Sequence, residues 1–284
     1  MLVCGAPSRA FTVEPTQRRD FNERDEINQT YRLPPGARVE VSSIRGPVEI
    51  GTTNTGLAEV QIIRTARTRA DLEYHKIEVA LKGNILIVRG IREPEQRREQ
   101  NIQVDHQVIL KLPRQIDLTV SSVSGPLKVG DVEGQMHVSS ISGSATIGDV
   151  HGRLQVNSIS GNLDVGTVYA DARVTSISGS LRLGHVNGAL DVSGISGGVN
   201  ATLASLSTQG IHIRSVSGSI ELGFKSDVNA DLDAESISGE VYLNLPNVTR
   251  DSDVKEPNVR ARIGAGGTPI VISSVSGNIR LTRS

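Results

Sequence analysis

Residues 126–143 read PLKVGDVEGQMHVSSISG, residues 144–161 SATIGDVHGRLQVNSISG, residues 162–179 NLDVGTVYADARVTSISG, and residues 180–197 SLRLGHVNGALDVSGISG. Aligned on the closing glycine, the four stretches of 18 carry apolar residues at positions 2, 4, 7, 11, 13 and 16. In the first these are Leu127, Val129, Val132, Met136, Val138 and Ile141; in the fourth, Leu181, Leu183, Val186, Leu190, Val192 and Ile195. The pairs at 2/4 and 11/13 have the two-residue period of a strand with one buried face. Positions 7 and 16 turn inward again after two intervening residues, as at a corner. Glycine at positions 5 and 18 admits backbone conformations that other residues resist.

The closing tetrapeptide, Ser-Ile/Val-Ser-Gly, recurs with its glycine at 125, 143, 161, 179, 218, 239 and 277, and as Gly-Ile-Ser-Gly at Gly197. The steps are 18 residues as far as Gly197, then 21 twice, then 38. Neither half of such a coil buries its apolar face alone, whereas coils stacked in parallel register close one aliphatic core: the logic of a β-solenoid. Equal positions in successive coils then lie about 4.8 Å apart. That register sets Arg153 against Asp171, Arg173 against Asp191 and Asp164 against Arg182. It also sets Asp131 against Asp149, a pairing that ought to repel.

The flanking chain keeps the same phase with interruptions. Val39, Val41, Ile44, Gly46, Val48, Ile50 and Gly51 form a first partial coil within residues 36–51, after the turn-forming Pro34-Pro35-Gly36 and a flexible lead over 1–35. A β-rich insertion follows over 52–115. Ala58–Ile63 and Lys76–Leu81 alternate as strands, a Gly83-Asn84 turn leads into Ile85–Val88, and the polar run from Arg92 to Gln100 reads as a solvated loop. The solenoid then occupies 116–284. An excursion over 246–269 precedes a last coil with Ile270, Ile272, Val275, Gly277, Ile279 and Leu281 in phase. The fold class is therefore all-β, a single-stranded parallel β-helix.

Composition narrows the function. Across 284 residues the net charge is -1, with 30 basic and 31 acidic side chains, so no global field points to nucleic acid or an acidic membrane. Aromatics make up 2% and Trp is absent, which removes the platforms that stack bases and sugar rings. No run approaches the roughly 18 apolar residues of a membrane span. Cys4 is the one cysteine, so disulfides within the chain and cysteine-rich metal sites are excluded. Two readings stand for Cys4: an incidental thiol on a polar tail, or the lipid-attachment residue of an export signal beginning upstream. Val3 sits where such a signal prefers a small residue.

The Ser-Ile-Ser-Gly coils, the opening Leu33-Pro-Pro-Gly-Ala-Arg-Val-Glu-Val41 and the stretch Val108-Ile-Leu-Lys-Leu-Pro-Arg114 resemble the bacterial putative-adhesin family with β-strand repeats, otherwise labelled a domain of unknown function. The resemblance covers about residues 30–284. It implies a right-handed parallel β-helix, exported or attached to the cell envelope, and it brings no catalytic residues.

Several side chains invite functional readings. Ser142, Ser160, Ser178, Ser196, Ser217, Ser238 and Ser276 stand in one column, which turn chemistry explains as well as a polar binding strip does. Gly194-Ile-Ser196-Gly-Gly198 matches the nucleophile-elbow pattern, but that elbow needs a following helix and a matched acid and histidine, which the repeat does not offer. His75, His106, His137, His151, His185 and His212 show no close pairing and read as solvated surface residues rather than zinc ligands. Asp131 and Asp149 follow turn glycines as in calcium-binding rolls, but three apolar residues per half-coil differ from the one of that pattern. Arg64, Arg67 and Arg69 read as a solvated basic face.

The expected function is that of a non-enzymatic, adhesin-like module outside the cytoplasm. It would use no cofactor and would bind a protein or cell-surface ligand through solenoid faces and insertions. The alternative is a self-assembling scaffold, with rods stacked end to end unless polar ends, such as residues 1–35 and Thr282-Arg-Ser284, block the edges.

Overall fold

The computed structural model describes residues 23–92, 104–121, 123–253 and 257–283. Cys4 and the loop after Arg92 lie outside the described residues. The chain opens with β1 (Glu23–Arg32), β2 (Ala37–Ser42), β3 (Val48–Thr53) and β4 (Leu57–Ala66), then a single helical turn, α1 (Arg69–Tyr74). Next come β5 (His75–Lys82), β6 (Ile85–Arg92) and β7 (Val104–Pro113). The regular coils follow as pairs: β8 (Ile116–Ser121) with β9 (Leu127–Val129), β10 (Met136–Ser142) with β11 (Ala145–Ile147), and β12 (Leu154–Ser160) with β13 (Leu163–Val168). They continue through β14 (Ala172–Ser178) with β15 (Leu181–Val186), β16 (Leu190–Ser196) with β17 (Val199–Leu203), and β18 (Ile211–Ser217) with β19 (Ile220–Phe224). The chain closes with β20 (Ala230–Ser238), β21 (Val241–Asn244), β22 (Val248–Arg250), β23 (Val259–Ile263), β24 (Thr268–Ser276) and β25 (Ile279–Arg283).

Among the described residues these strands form two sheets, of 12 and 13 strands, facing each other across one aliphatic core. Each regular coil gives one strand to each sheet, and successive coils pair parallel with an 18-residue offset, as in Leu154↔Ala172 and Leu163↔Leu181. The inward residues of the first three regular coils, from Leu127 to Ile177, are all buried, as are Val39, Val41, Ile44, Val48 and Ile50. Full burial of one such side chain is worth about 1.5–3 kcal/mol, so the stack draws its stability from aliphatic side chains, with Phe224 as the one fully buried aromatic among the described residues. At about 4.8 Å per strand the stack is about 55 Å long.

The expected charge pairs form: Arg173–Asp191 at 2.9 Å, Arg153–Asp171 at 3.4 Å and Arg182–Asp164 at 3.4 Å. All three are solvent-exposed and each adds little stability, so their value is to fix the register.

The structure corrects the sequence reading in three places. First, Glu23–Arg32, within the stretch read as a flexible lead, is a strand. Its whole length pairs antiparallel with β4, from Glu23↔Ala66 to Arg32↔Leu57. Secondly, the segment read as an insertion is part of the stack. β6 runs parallel beside β2 and β7 parallel beside β3, so together they form a layer beneath the first coil, and β8 then passes to β2's other side. Thirdly, the coils do not stack in chain order. The last coil, β24–β25, lies between β18–β19 and β20–β21. The 38-residue step to Gly277 therefore reflects insertion, and Thr282 and Arg283 lie in a strand flanked on both sides instead of capping an end.

The two ends differ. At one, β4 and β5 run antiparallel to their neighbours β7 and β6, and β1 continues the first sheet beyond β4. At the other, β23 pairs antiparallel with residues 230–234 of β20 and carries β22 beyond it. β21 is left as the terminal strand of its sheet.

Candidate functional site

The repeat motif adopts two conformations. In the coils closing at Gly143, Gly161 and Gly179, the motif isoleucines Ile141, Ile159 and Ile177 point inward and are at most 2% exposed. In the coils closing at Gly218, Gly277 and Gly239, alternation runs on unbroken, so Ser215, Ser274 and Ser236 point inward instead. Val216, Val275 and Ile237 are then turned out, 60%, 46% and 80% exposed. The change occurs where β16 pairs with β18. There Ser193↔Arg214 is followed by Ile195↔Ser215 and Ser196↔Ser217, which skips Gly194 and then Val216, with Gly194 at φ 78°. A one-residue slip exchanges the two faces of a strand. The expectation that every motif Ile or Val points inward, Val275 included, fails for these three coils.

Because the last coil is inserted, Val216, Val275 and Ile237 occupy consecutive layers and form one aliphatic strip about 10 Å long. Behind it, Ser236 Oγ donates to the Gly277 carbonyl at 3.3 Å, whereas Ser274 Oγ is buried without a hydrogen-bond partner. Hydroxyls inside and aliphatic groups outside invert the ordinary preference in three adjacent coils. The inversion follows from the register shift between β16 and β18 and leaves three adjacent aliphatic side chains facing solvent.

Beside the strip lies an edge of unusual composition. Three of the four terminal strands carry charges: β1 has Glu23, Arg24, Asp25, Glu26 and Arg32, β5 has Lys76, Glu78 and Lys82, and β22 has Arg250. Charge on an edge discourages pairing with foreign strands. β21, Val241-Tyr-Leu-Asn244, has none, and its Tyr242 is 43% exposed. Tyr242 ends a polar ladder on the outer face of the same sheet, where Arg280 lies over its ring at 5.7 Å and reaches Glu221 at 3.7 Å. Further along, Asn200 donates to Glu221 at 3.1 Å and Arg182 pairs with Asp164. A shallow depression of about 310 Å³ lies along this ladder, where Gly198 leaves a gap between Ser180 and Ser219.

A second cluster, at the opposite end, is polar and partly buried. Pairing of β1, β4 and β7 puts Asp25, Arg64 and His106 in one row across the sheet. Arg64 pairs with Asp25, and its Nη1 donates to the carbonyls of Leu72 at 3.0 Å and His75 at 3.3 Å, so it ties β1, α1 and β5 together. The Arg64 guanidinium holds the Asp25 carboxyl below the usual carboxylate range. His106 is 5% exposed, and its Nδ1 lies 3.2 Å from the Arg45 carbonyl while Nε2 has no partner. Its ring meets that of His75 edge-on, with centroids 6.3 Å apart. Burial lowers the His106 pKa and outweighs the raising influence of the neighbouring His75 and Arg45 backbones. His106 is thus no surface residue, and it is paired with another histidine, both contrary to the sequence reading. Arg64 likewise belongs to a partly buried hub rather than to a solvated basic face. No periodicity marks this row, because three strands from separate parts of the chain assemble it.

The remaining candidates fall into structural roles. Ser196 ends β16, followed by the corner at Gly197 and by strand β17 rather than a helix, and His212 stands opposite Asp191 on the neighbouring strand. Ser142, Ser160, Ser178, Ser196, Ser217, Ser276 and Ser238 do form one column at the corner. Asp131 and Asp149 accept backbone N–H groups of the next coil, from Asp149 and Thr167, and Arg114 lies 3.6 Å from Asp131. Stacking also brings His151 and Tyr169 face to face, with ring centroids 4.3 Å apart. Among the described residues no helix is long and apolar enough to cross a membrane.

A family model described as Toastrack DUF4097 matches residues 37–282. No curated protein matches the chain. Among solved structures, a putative adhesin from Bacteroides fragilis is 13% identical, with 90% of this chain and 97% of that one covered, at a TM-score of 0.38. A putative cell adhesion protein from Clostridium sporogenes is 11% identical, with 92% and 100% covered, at 0.28. A putative lipid binding protein from Parabacteroides distasonis is 10% identical, with 91% and 97% covered, also at 0.28. Likenesses this loose carry no conclusion about what the chain binds.

Proposed function

The chain belongs to the Toastrack DUF4097 family, and from that premise we propose that it is a non-enzymatic, adhesin-like binding module of the cell envelope. It engages a protein or cell-surface ligand through the Val216–Val275–Ile237 strip. The observation that carries this reading is the inversion at the strip, where three adjacent coils expose aliphatic side chains and bury serines. Desolvating three such groups on a rigid, preformed surface favours association without ordering a loop. A catalytic reading has no comparable support, because the serine of the elbow-like motif occupies an ordinary corner position. The scaffold alternative is disfavoured by the charged strands β1 and β5, which resist end-to-end stacking.

The test has two arms. Protease treatment of intact cells should remove the protein, and protection together with a soluble cytoplasmic location would sink the envelope assignment. Cells displaying the chain with Val216→Ser, Val275→Ser and Ile237→Ser should attach severalfold less than cells displaying the unaltered chain. Equal attachment would exclude the strip as the binding surface.

A further inference from the structure

The inserted last coil points to an exchangeable contact between two copies of this chain. We propose that the slot between β18–β19 and β20–β21 accepts residues 268–283 from a second copy as well as from its own chain, giving coil-swapped dimers.

The slot is defined on both sides. β24 pairs parallel with β18, from Ile211↔Ile270 to Ser217↔Ser276, and with β20, from Ala230↔Thr268 to Ser238↔Ser276. β25 pairs in the same way with β19 and β21. Without the insert, four strands would present unpaired backbone groups and an uncovered core, so an empty slot strongly favours occupation.

Its occupant is also specified. The insert delivers Ile270, Ile272, Ile279 and Leu281 to the interior, each 0% exposed. At the corner a side chain is forbidden: a Cβ on Gly277 would lie 2.2 Å from the Gly218 carbonyl oxygen, at a φ of +131°. A segment that fills the slot therefore needs alternating aliphatic residues on both sides of a glycine corner. The same segment of another copy meets every one of these requirements, because it is the same sequence.

The connection into the insert is suited to opening. Between β23 and β24 runs Gly264-Ala-Gly-Gly267, whose three glycines take φ of +59°, +77° and +118°. Two side chains hold it: Asn229 Oδ1 accepts from the Ala265 N–H at 2.9 Å, and Asp231 Oδ2 accepts from the Gly267 N–H at 3.0 Å. Releasing these two bonds, together with the backbone bonds from the Gly264 N–H to the Asn247 carbonyl at 2.9 Å and from the Gly266 N–H to the Ile263 carbonyl at 3.1 Å, frees the coil from its hinge. Chain order adds a kinetic argument. Residues 230–244 precede the insert, so every folding chain exposes an open slot until its last residues arrive, and exchange of an identical element is a low-cost route to dimers.

The test uses the full chain with Cys4→Ser. One population carries Arg214→Cys and another Ser273→Cys, the two positions being register partners across β18 and β24. They are unfolded together in urea, refolded together at high protein concentration and oxidised. A covalent dimer on a non-reducing gel is the expected result, because it forms when the insert of one chain occupies the slot of another. Light scattering of the unaltered chain should show a dimer fraction severalfold larger after concentrated than after dilute refolding, and Asn229→Ala with Asp231→Ala should raise it further. Monomer under every condition overturns the proposal. So does a dimer in which the single-cysteine partners fail to cross-link while the Arg214→Cys, Ser273→Cys double variant closes its bond within one chain. A double variant that does not close while dimers form overturns the stated pairing of insert and slot.

Discussion

Asp149 Oδ1 accepts a hydrogen bond from the backbone N–H of Thr167 at 2.7 Å, one coil further along the stack, and Asp131 does the same for Asp149 at 3.1 Å. A column of aspartates that pairwise electrostatics would disfavour becomes a ladder in which each carboxylate caps the next turn. The bond gives a backbone N–H of the next coil a side-chain acceptor. Asp149→Ala should lower stability by about 1–2 kcal/mol, given a charge-assisted bond in a half-exposed position. Asp149→Asn retains the acceptor and should recover most of the loss. Urea midpoints at constant m-value check both, and equal midpoints for Ala and the unaltered chain would assign the repeat of Asp at this position to something other than capping.

The glycine corner makes a sharper demand. Gly161 has φ +136°, and a Cβ placed on it would lie 2.6 Å from the Gly143 carbonyl oxygen. Gly161→Ala therefore meets both backbone strain and a clash with the coil beneath, neither of which a rotamer change relieves. The expected cost exceeds about 2 kcal/mol. Gly36, at φ +75° and with nothing within 4 Å of the place a Cβ would occupy, offers the comparison: Gly36→Ala should cost about 1 kcal/mol from the backbone alone. Thermal or urea unfolding of the two variants separates the clash from the strain.

The coil and its register were legible because Leu127, Val129, Val132 and their equivalents repeat a two-residue period broken at a fixed corner, a signature with few other folded solutions. Stack order was not legible. Any glycine-cornered coil fits beside any other, so the phase of Ile270 and Ile279 fixes which face they bury but not which neighbours they meet. The strip is hidden for a related reason. Ser158-Ile159 and Ser236-Ile237 are the same dipeptide before the same Ser-Gly, and the competition for one inward site is settled by the register of the neighbouring strand. The Asp25–Arg64–His106 row arises from antiparallel pairing between distant segments, which leaves no local periodicity to read.

The two motif conformations predict opposite outcomes for one substitution. Ile159 is 2% exposed and Ile237 is 80% exposed. Ile159→Ala removes packed methylenes and leaves a cavity, at a cost of about 2–5 kcal/mol. Ile237→Ala removes atoms already facing water and should change stability by less than about 0.5 kcal/mol. Denaturant unfolding of both variants under one condition decides the matter. A large loss at Ile237 would mean that this coil shares the inward conformation of Ile159 and that the aliphatic strip does not exist.

His106 makes the end of the stack formed by β1, β4 and α1 sensitive to acid. Its imidazole faces Arg64 on β4, the His75 ring on β5 and the Arg45 carbonyl from the loop after β2, with Asp105 adjacent and Asp25 on β1 reached only through Arg64. Burial lowers its pKa in the folded protein, so between the ordinary histidine value of about 6.5 and that lower value the unfolded chain binds a proton that the folded chain does not. The contribution of this site to stability is therefore complete above about pH 6.5 and is lost progressively as pH falls below it, until the folded form also protonates. A charged imidazole would then lie beside the Arg64 guanidinium, and the elements Arg64 holds, β1, α1 and the start of β5, should open first. Hydrogen exchange should show protection of β1 amides falling between pH 7 and pH 5 more than that of the central coils β10–β15. In His106→Gln that extra fall should disappear while the general acid dependence of the chain persists. An unchanged difference between β1 and the central coils in the variant would assign the acid response to other groups.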